Sequence, residues 1–446
     1  MNLLQRLTER FWFLPTVMCL GAAILAESLV YLDGTHPVSS LPSWMAKVVY
    51  RVGESGSRDI LGAIASASLG VAGTTFSITM AVLALTSSSY GPRLVRNFMA
   101  DKGNQTVLGV YVSTFLYSLL VLRAIRDVGD LSSSGTEPFV PHLAVNGAVL
   151  LAIANVAVLV YFIHHISDSI QISTLSGNVR AELLETVNRL YPAALGKGAP
   201  ESADHEFSAR PPETAFIVSA GKEGYVQSVK GDQILDTAHR HDLVVWLAVQ
   251  PGDHLLADAE VIRVHPPKLD DYVAAELRDC IMIGDSRSPF QDVSFATQQL
   301  TELAVRALSP GTNDPYTAIN ALDDLTVGLA TMAARPVPQA WRSAKDGSVR
   351  VHAPHTTVYA LVSAVVDSVR WYAASAPSVM NATLDFVERV GLAGDNSLRE
   401  GLTVQVDRLV ESFDRADHQP CDDEAFAARA AACRSRLAQV EVFRKP

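Results

Sequence analysis

Residues 60–85 read ILGAIASASLGVAGTTFSITMAVLAL, 26 positions without a single charge. As a helix rising 1.5 Å per residue this stretch is about 39 Å long. A bilayer's hydrocarbon layer of roughly 30 Å takes roughly 20 helical residues to cross. The stretch therefore predicts a membrane helix that tilts or projects beyond the lipid. Three more apolar runs stand around it, from Phe13 to Leu32, from Val107 to Leu122 and from Leu143 to Ile163. The third of the four is the shortest and only just long enough to span. Nothing comparable follows them. The expected fold class is an integral-membrane α-helical part with four transmembrane helices, followed by an α+β cytoplasmic region.

Charge divides the chain in the same place. Residues 1–165 carry 10 Lys/Arg against 9 Asp/Glu, and the rest carries 26 against 38, which gives +1 and −12 and the total of −11. An acidic soluble part repels phosphate backbones, so nucleic acid is excluded as a partner. The lipid bilayer is the first partner implied. Cys19, Cys280, Cys421 and Cys433 are scattered, with no CxxC pair and no disulfide or zinc framework. Arg6 and Arg10 before the first run resemble a signal peptide's basic start, but the apolar stretch is longer than a cleaved signal uses, so a retained helix is expected. The basic residues Arg6, Arg10, Arg93, Arg96 and Lys102 put both termini on the cytoplasmic side of a bacterial inner membrane.

Within residues 60–85, Gly62, Ser66, Gly70, Thr74 and Ser77 recur every three or four positions and share one helix face. Small residues let helices approach closely, so this stripe reads as a packing face. Its sharper reading is a pore wall, formed when several copies surround an axis and present hydroxyls to water. That reading carries a homo-oligomer and a small ion as partners. Arg93 and Arg96, after Tyr90-Gly91-Pro92, read either as headgroup anchors or as a cationic vestibule. Glu27 is the one acid inside a crossing; intramembrane acids are functional candidates by default, although its place near the outer end also permits snorkelling. His164, His165 and Asp168 close the fourth helix. His164 and Asp168 are four apart, a spacing that can hold a metal or sense protons, but no third ligand accompanies them, and no metal or cofactor is expected.

The remainder divides into a membrane-proximal helix and linker (169–211), a small β-rich domain (212–267) and a helical domain (268–446), after a membrane domain of residues 1–168. Short strands are expected at Phe216–Val218, Gly224–Val229, Leu243–Val249 and Glu260–His265, which would make a small barrel or sandwich. Helices are expected at 269–283, 290–308, 315–333, 355–375, 377–393, 396–413 and 423–442. Between the second and third of these runs Ala307-Leu308-Ser309-Pro310-Gly311-Thr312-Asn313-Asp314-Pro315-Tyr316. Pro310 and Gly311 stop one helix. Asp314 then caps the next, and Pro315 takes the first helical position, where its missing N–H costs nothing. Asn313 completes a tight helix hairpin.

That phrase, the stretch from Phe76 to Phe98 with Tyr90-Gly91-Pro92-Arg93-Leu94, and Ile283-Gly284-Asp285-Ser286-Arg287 together resemble the domain-of-unknown-function 2254 family. The resemblance covers nearly the whole chain and implies a bacterial inner-membrane protein, with no activity attached. Thr312 stands where an aliphatic residue is expected. No GxSxG, HExxH, phosphate-loop or dinucleotide motif is present, so an enzyme is not expected. Two functions remain. One is an oligomeric channel or transport-related protein with a cytoplasmic assembly or gating domain. The other is a membrane-anchored sensor or scaffold whose cytoplasmic domain binds an unknown ligand or protein.

Overall fold

The computed structural model describes residues 11–35, 53–90, 101–126, 139–169, 171–191, 197–198 and 209–439. Arg93 and Arg96 lie outside them. The chain forms two compact units, residues 1–174 and 175–446.

The first unit holds α1 (Phe13–Thr35), α2 (Glu54–Tyr90), α3 (Lys102–Ala124) and α4 (His142–Ser169). All four are long and apolar enough to cross a bilayer. Helix α3 is central, packing against α1, α2 and α4. This explains why the shortest apolar run suffices and why it tolerates buried Asn104, Gln105, Thr114 and Ser118: neighbouring helices, rather than lipid, cover much of it. One apolar cluster joins Ala26, Leu61, Tyr117, Val121, Ala144 and Ala148; a second joins Ala72, Val107, Tyr111 and Phe162.

Polar ties fix the register. The Tyr117 hydroxyl donates to the Ala144 carbonyl at 2.8 Å and Tyr111 to the Asn155 carbonyl at 2.7 Å. Asn155 Nδ2 donates to Ser68 Oγ at 3.2 Å, and its Oδ1 accepts from Thr114. Asp33, at the end of α1, accepts from the amides of Leu143 and Ala144, so a side chain of one helix satisfies orphan donors at the start of another. Gly147 faces Tyr117 so closely that an added Cβ would stand 2.5 Å from the hydroxyl. Replacing Gly147 with valine is expected to break the Tyr117–Ala144 bond and destabilise this unit by about 1–3 kcal/mol, read as a lower unfolding midpoint in detergent.

The second unit begins within α5 (Ile172–Leu190), whose Leu175, Val179, Leu183 and Val187 are buried at four-residue intervals. Thus the helix expected to be a membrane-proximal connector belongs, from Leu175 onward, to the unit's own core. There follow β1 (Lys197–Gly198), β2 (Phe216–Ser219), β3 (Gly224–Val229), α6 (Gly231–Arg240), β4 (Val244–Leu247), β5 (His254–Leu255), β6 (Glu260–His265), α7 (Asp271–Asp279) and β7 (Ile281–Gly284). Next come α8 (Val293–Ala307), α9 (Pro315–Ala333), β8 (Trp341–Ser343), β9 (Val349–His352), α10 (Val358–Ala373), α11 (Pro377–Ala393), α12 (Asn396–Asp414) and α13 (Pro420–Ala438).

The strands make a six-stranded sheet in the order β1-β8-β9-β4-β6-β2 and a three-stranded sheet in the order β5-β3-β7. Among the described strands only β4 and β9 pair in parallel. The expected boundary at residue 267 is therefore not a boundary of the sheets. Strand β7 occupies the end of the expected helix 269–283, because Ile281 and Ile283 bury alternate positions opposite β3. The β8–β9 hairpin was expected in neither domain. It adds two strands through a turn at Asp346-Gly347, where Gly347 has a φ of 86°. Helices α8–α13 form the rest of the core. The close approach of α5 to α9 rests on Gly328, where a Cβ would stand 2.2 Å from Leu183 Cδ2.

Candidate functional site

Strand β8 carries the group that most needs explaining. Arg342 is only 4% exposed, yet its Nε has no hydrogen-bond partner, and among the described residues no carboxylate pairs with it. Burial pulls its guanidinium below the usual arginine value. The strand places it there by register: Arg342 stands opposite Val351, and Val351 opposite Val245. These valines are fully buried. Its neighbour Trp341 pairs edge-on with Trp246 at 5.8 Å and with His352 at 5.0 Å.

Arg342 lines a recess of about 90 Å³ with Tyr191, Gln250, Asp292, His355 and Thr356. Tyr191, Pro338, His355 and Thr356 also line a larger cavity of about 790 Å³, whose other walls include Met332, Val337, Val358 and Leu398. The end of α5 frames the junction. The Tyr191 hydroxyl donates to the Thr356 carbonyl at 2.8 Å, and burial pushes the phenol up to about 12. Arg335 spends its charge on the end of α5, donating to the carbonyls of Val187 and Tyr191 at 3.0 and 2.6 Å. His355 is held below the usual imidazole value, first by burial and then by the charges of Arg342 and His352. It is accordingly a neutral donor or acceptor.

The carboxylates beside these cavities are already engaged. Asp292 takes a two-point contact from Arg287, at 2.8 Å from Nε and 2.9 Å from Nη2, and caps α8 through the Phe295 amide. Asp395 caps α12 by accepting from the Leu398 amide at 2.9 Å. Among the described residues, what remains is a buried cation, Arg342, with no carboxylate partner in a recess beside a larger cavity. The arrangement can bind and orient an anion.

The residues singled out in the sequence are dispersed. Ser66, Gly70, Thr74 and Ser77 are exposed and Gly62 is half-buried, while α2 packs through the opposite side, on Leu61, Ala65, Ser68, Ala72 and Thr75. Among the described residues the stripe leaves open space beside it: a Cβ at Gly62 or Gly70 meets nothing within 4 Å. Thr74 and Ser77 donate back to the carbonyls of Gly70 and Gly73. Leu61, across the helix from that stripe, lies in the core.

Glu27 pairs with Arg123 of α3 at 2.9 Å, so it is a partnered acid rather than an isolated one. His164 and Asp168 do meet, at 3.4 Å, but His165 turns elsewhere. Its Nε2 lies 2.8 Å from Asp101 Oδ2, whose other oxygen caps α3 at Gly103. Among the described residues no three or more His, Cys, Asp or Glu side chains gather as a metal site. In the helix hairpin Asp314 caps α9 with Pro315 at its first position, and hydrogen bonds from the Thr317 side chain and amide hold its carboxyl below the ordinary range. Helix α8 already ends at Ala307, ahead of Pro310 and Gly311, and Asn313 rather than Gly311 takes the left-handed conformation, with φ 45°.

Arg342 escaped sequence reading because nothing marks a lone arginine as buried. The hairpin that carries it was not read either, although Asp346-Gly347 ahead of the alternating Val349-Arg350-Val351 is a local turn-and-strand signal.

Four long apolar helices followed by a mixed α/β unit make the architecture of a multi-pass membrane protein. The chain belongs to the predicted membrane protein family named domain of unknown function 2254, whose profile matches residues 8–389. It is similar to uncharacterized proteins of Mycobacterium bovis and Mycobacterium tuberculosis, at 30% identity over 98% of this chain and 82% of theirs. No solved structure matches it.

Proposed function

We propose that the protein is a homo-oligomeric, transport-related membrane protein, in which the small-residue face of α2 meets other copies and borders a pathway for small ions. The observation that supports this is the direction of that face. Gly62, Ser66, Gly70, Thr74 and Ser77 point away from α1, α3 and α4. Small side chains gain little from lipid, whereas they allow two helices to approach closely and bond across the contact. The α/β unit then serves assembly or gating. With the basic segments before α1 and α3 inside, the termini lie in the cytoplasm and the membrane is the bacterial inner one. A reporter fused after residue 446 and found in the periplasm would reverse that placement. No catalysis is assigned to the chain.

Gly70→Trp tests this reading cleanly, because the subunit itself has room for the side chain. The unaltered protein is expected to be an oligomer by native mass spectrometry and to pass small ions in liposomes. Gly70→Trp should leave the unfolding midpoint nearly unchanged while dissociating the oligomer or cutting flux by about tenfold, a change of about 1.4 kcal/mol. A monomer without flux would instead support the second reading, a membrane-anchored sensor. The cavity of about 790 Å³ in residues 175–446 favours that alternative.

A further inference from the structure

We propose that the recess at Arg342 binds the oxyanion group of a small organic anion, a carboxylate or a phosphate, whose apolar body lies in the larger cavity beside it. This goes beyond the assembly reading and holds whether or not the helices conduct.

The argument begins with charge. A buried guanidinium without a partner is costly, since taking a charge from water is repaid only by good opposing geometry. At Arg342 the described residues supply no such geometry. The neighbouring Asp292 is held by Arg287, and the neighbouring Arg335 by the carbonyls ending α5. A carboxylate or phosphate entering the recess would complete the arrangement, because the planar guanidinium matches both with paired, charge-assisted bonds.

Size and polarity agree. The recess of about 90 Å³ exceeds the roughly 10–15 Å³ that one water needs by the same measure. It holds several non-hydrogen atoms, as an oxyanion head requires. Thr356 Oγ1 lies 3.1 Å from Gln250 Oε1, which occupies that oxygen and leaves the Gln250 amide NH2 to donate. His355, neutral beside Arg342, adds a donor without adding charge. The larger cavity changes character. Met332, Val337 and Val358 give it apolar walls, and its carboxylate, Asp395, is engaged as a helix cap. A polar, cationic recess beside an apolar chamber fits an anion with an organic body better than a free inorganic ion.

The test uses the full-length protein in an uncharged maltoside detergent, with phenyl phosphate, benzoate, inorganic phosphate and benzyl alcohol as probes. Calorimetry should show saturable binding of at least one of the two organic anions, with benzyl alcohol weaker by about tenfold or more. The tighter of phenyl phosphate and benzoate identifies the head group. Arg342→Met should lose that affinity by about tenfold or more. Without ligand it should unfold at a higher temperature than the unaltered protein, since an apolar replacement relieves an unpaired buried charge. A merely structural arginine would give the opposite shift. Val337→Trp, at a site 65% exposed and therefore tolerant, should weaken phenyl phosphate while sparing inorganic phosphate. Should Arg342→Met not fold, phenyl phosphate against benzyl alcohol on the unaltered chain decides alone. The proposal is overturned if neither organic anion binds at millimolar concentration, if benzyl alcohol binds equally, or if Arg342→Met retains binding.

Discussion

Asp292→Ala lowers the unfolding midpoint of the 175–446 unit by roughly 10 °C, the largest single-residue effect expected in this protein. Three roles end together. The carboxylate is 1% exposed and faces the Arg287 guanidinium at two points. It also caps α8 through the Phe295 amide. Finally, it packs against Gly252, where a Cβ would stand 2.3 Å from its Oδ2. Breaking a buried pair by removing one partner costs about 3–5 kcal/mol, because the other charge is left behind. Loss of a cap adds about 1 kcal/mol. At roughly 2–4 °C per kcal/mol for a unit of this order of size, the shift is easily resolved by the fluorescence of Trp246 and Trp341. Asp292→Asn keeps an acceptor for the cap but not the charge, and should fall between. A shift under about 2 °C for Asp292→Ala would mean that Arg287 finds another partner at little cost.

Glu388→Ala ranks second and acts at the far end of the chain. Glu388 of α11 is 6% exposed and accepts from Arg429 Nη1 at 2.7 Å and Arg436 Nη1 at 2.6 Å, both on α13. These bonds lie beside the contact of Leu437 with Gly391, where a Cβ would stand 2.5 Å from Leu437 Cδ2. Arg436 is more than half exposed and recovers water readily, so the cost is set near the lower end, at about 3 kcal/mol. Burial works to raise the Glu388 carboxyl, but the two arginines outweigh it and hold its pKa below the ordinary 4.5. The sign follows from that depression. The stabilisation is complete above the unfolded value and drains away as pH falls through the lower folded one. Acidification below about pH 4.5 should thus loosen α13 in the unaltered protein, seen as faster amide exchange across Pro420–Ala438. In Glu388→Ala that exchange should already be fast at neutral pH. Equal exchange in the two proteins at pH 7 would remove the assigned role.

Local signals made much of this fold readable. Uninterrupted apolar length revealed the four helices long enough to cross a membrane, because a bilayer demands that length whatever the partners. Pro and capping residues located α9 and α11 to the residue: Asp314-Pro315 and Pro377 act on their own helix starts alone. Alternation identified β3, and β6 was expected at its observed bounds, Glu260–His265. The misplaced segments had a different cause. Ile281-Met282-Ile283 continues a helical pattern on its own and becomes a strand because β3 offers a ladder.

The candidate site was legible only in pieces. The stripe on α2 showed which residues share a face, but the rotation of the helix about its axis depends on where α3 lies. Likewise the acid at Glu27 was visible, whereas its partner Arg123 stands 96 positions away.

By itself, then, the sequence determined that the chain has four helices long and apolar enough to cross a membrane, where some of its other helices begin, and that an acidic α/β part follows. Those are properties of contiguous residues: length, periodicity, caps and charge. Only the tertiary structure decided which side of α2 stays open, that β8 and β9 extend a sheet begun more than 100 residues earlier, and that Arg342 is buried with no counter-charge among the described residues. Burial and pairing depend on distances between residues remote in the chain, and no local pattern encodes those.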